Sequence, residues 1–166
     1  MQTSSSCRSL IAQPITPQAF RPFGQVIFAS PDGALYGAED AQLRLENGIP
    51  RLYIMALEHM GCRFTRITRH RQCTQCLGSL ANQTWLMAVA PPSDATHPAL
   101  EEIVAFQIPG NCFIKLEMGT WHAGPHFDQD RIDFYNLELA DTNQVDHDTC
   151  DLAALYQIEF QITATP

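Results

Sequence analysis

The chain has 166 residues, 45% of them hydrophobic and 17% charged, the composition of a folded globular domain rather than a disordered segment. Ten Lys and Arg stand against eighteen Asp and Glu, and the net charge of -8 repels nucleic-acid phosphates and acidic membrane surfaces, so neither is an expected partner. No apolar run reaches the roughly 18 residues that a membrane-spanning helix needs.

In chain order, the opening MQTSSSCRSLIAQPI holds one Arg and no apolar block of signal-peptide length. Residues 1–13 therefore read as a flexible tail on a cytoplasmic protein, and residues 14–166 as a single domain. Thr16 followed by Pro17 is a capping residue with proline at the first helical position, which starts a short helix that Gly24 should stop. Strands are expected at 26–29, 51–57, 63–70, 84–90, 103–108, 112–117 and 132–139, each rich in β-branched, aromatic or apolar residues and bounded by Gly, Pro, Asn or Asp. Residues 156–162 alternate apolar and polar without a break, as a strand with one buried face does. Pro91, Pro92 and Pro98 mark a loop in the middle. Many short strands at near-even spacing predict an all-β sandwich or barrel.

Cys73 and Cys76 form a C-x-x-C, but neither Cys62 nor Cys112 has a second cysteine nearby to complete a zinc site, and Leu77-Gly78-Ser79 reads as a turn rather than the helix a redox motif needs. With no secretion signal and irregular spacing, the six cysteines are expected to be reduced thiols. Nine of the ten basic residues are Arg, and four of them crowd between Arg63 and Arg71. If that stretch is extended, Phe64, Arg66, Thr68 and His70 share one face. With Phe64 inward, Arg66 and His70 enter the interior, where a charge needs a partner or a ligand. The opposite reading has Arg66 in solvent, because Ile67 on the other face also wants burial.

Parity sets Lys115 opposite Ile114 and Leu116, on a face where lysine is ordinarily exposed. The turn Gly119-Thr120 delivers Trp121 and His122, and Gly124-Pro125 ends the segment, holding His122 by its backbone. In 132–139, Asp133, Tyr135, Leu137 and Leu139 fall on one face and Ile132, Phe134, Asn136 and Glu138 on the other, as in a strand covered on both sides. His59, His97 and His147 lie in polar, loop-like surroundings with no assigned chemistry, and His126 reads as a rim residue. Two strand-end histidines, His70 and His122, gain meaning if the fold brings them together.

Four segments, FRPFGQVI, RFTRITRHRQCTQCLGSL, KLEMGTWHAGPHF and DFYNLELADTNQVDH, together resemble the ureidoglycolate lyase (ureidoglycolate hydrolase) family of cupins, especially its plant and cyanobacterial branch. The resemblance implies a cupin double-stranded β-helix, a jelly-roll barrel with a short N-terminal helix, usually a homodimer, with a role in allantoin degradation and purine catabolism. Cupins typically hold a metal through histidines and a carboxylate on an early and a late motif, which maps to His70 with Gln75 and to His122. This chain departs from the pattern: Thr68 stands where similar lyases carry a carboxylate, and Gln75 where many cupins place Glu. A divalent metal at His70, Gln75 and His122 would thus lack a charged ligand, so the expectation is that no cofactor is required, with a weakly held divalent ion at these three residues as the open alternative.

The reaction so implied splits ureidoglycolate, a carbinolamine, into glyoxylate and urea. It needs an acid and a base near neutrality, which suits His70 and His122 as catalytic residues. Arg66 or Lys115 would bind the carboxylate of this small-molecule substrate, with Gln75, Trp121 and Tyr135 completing the binding set. Two other functions fit such a barrel: a metal-dependent cupin oxygenase or isomerase with a third ligand from Gln75, Asp133 or His126, and a non-catalytic module that binds a small carboxylate.

Overall fold

A computed structural model describes residues 6–165 of the chain. Strand accounts for 48% against 10% helix, which makes the molecule all-β. Two curled sheets face each other as a half-barrel of cupin type.

The smaller sheet has the order β2-β9-β6-β11-β3, built from β2 (Gly24–Phe28), β3 (Pro50–Glu58), β6 (Gln75–Ser79), β9 (Cys112–Leu116) and β11 (Arg131–Leu139). The larger contains β1 (Ser6–Pro14), β4 (Arg63–Phe64), β5 (Arg66–Arg69), β7 (Trp85–Ala90), β8 (Val104–Ile108), β10 (Trp121–His126), β12 (Asp148–Asp151) and β13 (Ile158–Ala164). Its order is β12-β5-β10-β7-β8-β1-β13-β4. Between the sheets lies a core of Phe20, Phe23, Trp85, Met87, Phe106, Ile114 and Phe134, with Phe20 and Phe106 packed edge to face. The larger sheet buries its other face too, in a second cluster that includes Ile67, Ala88, Trp121, Leu152 and Phe160. Alternate residues of β7 thus enter different clusters, which is why that strand reads as a continuous apolar run.

The helix α1 (Pro17–Phe20) forms as its sequence predicts: the Thr16 hydroxyl accepts from the Ala19 N–H at 3.1 Å, and Pro17 stands at the first turn. Two further short helices, α2 (Thr142–Val145) and α3 (Leu152–Tyr156), connect the late strands. No described helix is long and apolar enough to cross a membrane.

The expected flexible tail is a strand from Ser6 onward, while residues 1–5 of that stretch lie outside the described residues. Seven residues of β1, from Ser6 opposite Ile158 to Ala12 opposite Ala164, run parallel to β13. That pairing joins positions some 150 apart and leaves no local trace. The expected turn at Leu77-Gly78-Ser79 is instead the middle of β6, paired on both sides. Glycine is required there because a Cβ would lie 2.3 Å from the Tyr135 hydroxyl. The expected strand at 63–70 breaks at Thr65: β4 pairs with β13, whereas β5 pairs with β10 and β12. β10 continues through Gly124-Pro125, with a shift of register between Ala123 and His126 where a stop was expected.

Candidate active site

A cavity of about 180 Å³ opens between the sheets, lined from the smaller sheet by Tyr53, Gln75, Asn136 and Glu138 and from the larger by His70 and His122. His122 belongs to β10 and pairs with Thr68 on β5, the strand that His70 follows. That pairing joins positions 54 apart in the chain. The two imidazole centroids stand 5.0 Å apart, and His147, in the segment leading to β12, lies 5.6 Å from His70.

Each ring is oriented by a backbone carbonyl. His70 Nδ1 donates to Asp146 O at 2.5 Å, and His122 Nδ1 faces Thr120 O at 3.3 Å. A carbonyl oxygen only accepts, so the hydrogen of each neutral ring resides on Nδ1 and Nε2 keeps its lone pair. The Asp146 carboxylate in turn accepts from the backbone N–H groups of Arg71 and Gln72, at 2.7 and 2.8 Å, which fastens the segment that carries Asp146 to the end of β5. Burial pushes the His70 imidazole below its ordinary range, and the carbonyl contact to Asp146 and the negative charges of Asp146 and Glu138 oppose that push. His122 is driven further, down to about 3, first by burial and then by the neighbouring His70. One edge of the His122 ring meets the cavity, yet protein surrounds the rest. Both rings are therefore neutral at pH 7 and present bases.

Opposite them lies a polar floor. Glu138 is only 1% exposed, and its carboxylate accepts from Gln75 Nε2 at 3.1 Å, the Tyr53 hydroxyl at 3.2 Å and Asn143 Nδ2 at 3.4 Å. Gln75 Nε2 also donates to Asn136 Oδ1 at 3.1 Å, and Asn136 Nδ2 donates to the Tyr53 oxygen at 3.1 Å. Gln75 Oε1 is buried with no hydrogen-bond partner.

Of the residues singled out from sequence, His70, His122 and Gln75 meet in this cavity; the others do not line it. Arg66 shares the face of Thr68 and His122, but the half-barrel is open there. Its side chain is 72% exposed and 3.5 Å from Asp151, on an outer groove that also touches His122, Gly124 and His147. The inward reading is thus corrected, and Phe64, which was to share that face, packs in the second cluster because the strand breaks at Thr65. Lys115 keeps its expected parity but is 0% exposed, paired with Glu117 on the far side of the smaller sheet. The loop after β2 covers that face, tied down by hydrogen bonds from the Gln25 side chain, which belongs to the residue paired with Lys115, to Ala38 O and Asp40 O. Trp121 is buried in the second cluster under the Arg69 guanidinium, 4.1 Å from its ring. Tyr135 lies on the outer face of the smaller sheet against Phe113. The cavity face of β11 is the other one, carrying Asn136 and Glu138 beyond the core residues Ile132 and Phe134.

His147, Glu138, Asn136 and Tyr53 were the residues missed. Two polar residues continuing an apolar inward face, Asn136 and Glu138, were the available signal. The C-x-x-C cysteines are buried free thiols, as expected.

For a metal, the donor set is poor. Among the described residues no three His, Cys, Asp or Glu side chains are placed to hold an ion. His70, His122 and Gln75 offer two imidazoles and an amide, and the adjacent Glu138 carboxylate is committed to three donors. Asp133, half-buried and paired with Arg131, and His126, whose Nδ1 bonds Gly61 O at 2.8 Å, do not complete the set. These residues do not fit a tightly held divalent ion.

Fold and site together define a small cupin-like barrel with two neutral imidazoles facing a polar floor across an interior cavity. The sequence model of the Ureidoglycolate lyase family matches residues 7–162, and the chain belongs to that family. It is 30% identical over 128 residues to proteins named ureidoglycolate lyase from Pseudomonas paraeruginosa (strain PA7) and Pseudomonas aeruginosa (strain LESB58), covering 69% of this chain and 74% of each relative. A ureidoglycolate lyase from Azotobacter vinelandii (strain DJ) is 25% identical over 127 residues, covering 69% of this chain and 75% of the relative.

Proposed function

We propose that the protein is a ureidoglycolate lyase that splits its carbinolamine substrate into glyoxylate and urea by proton transfer between side chains. The observation that carries this reading is the convergence of His70 and His122, both with a bare Nε2, on one cavity.

The chemistry balances with a single proton. His70 Nε2 takes the hydroxyl proton of the substrate as the carbon–oxygen double bond forms and the carbon–nitrogen bond breaks, then returns it to the departing urea nitrogen. His70 is the better base of the two, because the charges of Asp146 and Glu138 favour its imidazolium. His122, strongly disfavoured as a cation, stays neutral and orients the substrate by accepting from one of its O–H or N–H bonds. A base whose protonated form is held below the ordinary range also releases the proton readily, as a relay requires.

The substrate carboxylate lies toward the open groove, where Arg66 supplies a planar fork able to donate two parallel hydrogen bonds. No metal is required for these steps. The protein acts in the cytoplasm on a small carboxylate. It functions as a homodimer, for which the outer face of β3 offers Leu52 and Ile54, 70% and 64% exposed. The test is glyoxylate release from ureidoglycolate by the purified protein, with and without a chelator. Equal, substantial rates support the reading, and absence of release contradicts it.

A further inference from the structure

The polar floor contains an acceptor that nothing in the fold satisfies. Gln75 Oε1 is buried without a partner, and a buried unpaired amide oxygen is costly unless something completes it. Its direction is not free. As a carboxylate, Glu138 can only accept, so Gln75 must turn its NH₂ toward Glu138 Oε2. The Tyr53 hydroxyl spends its hydrogen on Glu138 Oε1 and must accept from Asn136 Nδ2, which turns Asn136 Oδ1 toward Gln75 as well. Both hydrogens of Gln75 Nε2 are then used, and Oε1 is the atom left over. One buried carboxylate thereby fixes two amides and a hydroxyl, and with them the hydrogen-bonding character of the floor.

Resting on the activity proposed above, we infer that this floor reads the ureido end of the substrate: Gln75 Oε1 accepts an N–H of the terminal NH₂ of the urea moiety, and Glu138 is the positioning residue that holds it ready. Electrostatics gives the same polarity. A substrate carboxylate against the floor would face the Glu138 charge, whereas at the opposite side it meets the groove that carries Arg66. The ureido group goes in first and the carboxylate stays at the mouth. The site therefore selects N-carbamoyl acids over N-acyl acids of the same shape.

The experiment uses two unreactive probes. Ureidoacetate lacks the hydroxyl and cannot be split, and N-acetylglycine further replaces its terminal NH₂ by methyl. Calorimetric titration of the wild-type protein should give at least about tenfold tighter binding of ureidoacetate, the scale of one buried hydrogen bond left unmade. Glu138→Gln, which can donate as well as accept and so releases the amides, should bring the ratio to within about threefold of one. It should bind glyoxylate, which has no ureido group, at least as well as wild type does. A merely structural role for Glu138 would weaken all three ligands together. If Glu138→Gln unfolds, Gln75→Met removes the acceptor at similar volume and should abolish the same preference. A preference that survives in a folded variant, or that is absent from a wild-type protein that cleaves ureidoglycolate, overturns this inference alone. Failure of the wild type to bind ureidoacetate or cleave ureidoglycolate overturns both.

Discussion

Replacing His122 by Asn should change how stability depends on pH. The imidazole is pushed from its ordinary 6.5 down to about 3 in the folded protein. Between those values the unfolded chain binds a proton at this position that the native state refuses. The sign follows directly: stability from this group is whole above pH 6.5 and is lost as the pH falls, by about 1.4 kcal/mol for each pH unit. At pH 4.5 the accumulated loss is roughly 2–3 kcal/mol, a large share of the 5–15 kcal/mol typical of a domain. Asn does not titrate. Its unfolding free energy should therefore drop between pH 7 and 4.5 by roughly 2–3 kcal/mol less than that of wild type, whatever constant cost the substitution adds. His70 and His126 are lowered as well, but they contribute to both proteins and leave the difference intact. The assay is guanidinium chloride unfolding at the two pH values, followed by the fluorescence of the buried Trp85 and Trp121, with urea avoided because it is an expected product. Parallel losses in the two proteins would refute the burial of a neutral ring at this position.

Arg66→Ala should raise KM for ureidoglycolate with little change in kcat, since the groove holds the carboxylate away from the breaking bond; an unchanged KM removes Arg66 from the site. Lys115→Met should leave kcat/KM unaltered, because Lys115 is sealed against Glu117 outside the cavity, and a steady-state assay showing a tenfold loss would contradict that placement. Gly124 has φ +127°, and a Cβ there would meet Leu86 O and His126 Cδ2 at 3.1 Å. Gly124→Ala should cost roughly 1–3 kcal/mol, read as a fall in Tm, and a Tm equal to wild type would show that the bend in β10 tolerates a side chain.

What the sequence could and could not disclose divides by range. Short-range signals were informative: Thr16-Pro17 announced its helix, and alternation announced both faces of β11 and most of β13, although the strand expected from residue 156 starts at Ile158 because Tyr156 ends α3 and Gln157 caps it in the left-handed region. His70, Gln75 and His122 were reached through motif resemblance, and the cavity contains all three. Arg66 shows where parity stops being enough. It shares a face with His122, but whether that face is closed or open depends on how far the sheets curl, which no local pattern encodes. Trp121 and Tyr135 neighbour site residues in sequence and therefore point to the opposite side of their strands. Lys115 was expected in solvent because its cover, the loop after β2, comes from about eighty positions away. In sequence Glu138 is one polar residue on a strand covered on both sides, and its role is visible only with Gln75, Tyr53 and Asn143 around it.

The most direct measurement of the central claim is the product balance of the wild-type protein beside His70→Ala on ureidoglycolate. The proton relay predicts urea and glyoxylate in equal amounts without ammonia from the wild type, and a kcat lower by about 10²- to 10⁴-fold in a variant that remains folded. Ammonia in place of urea, or a His70→Ala protein as fast as its parent, would contradict it.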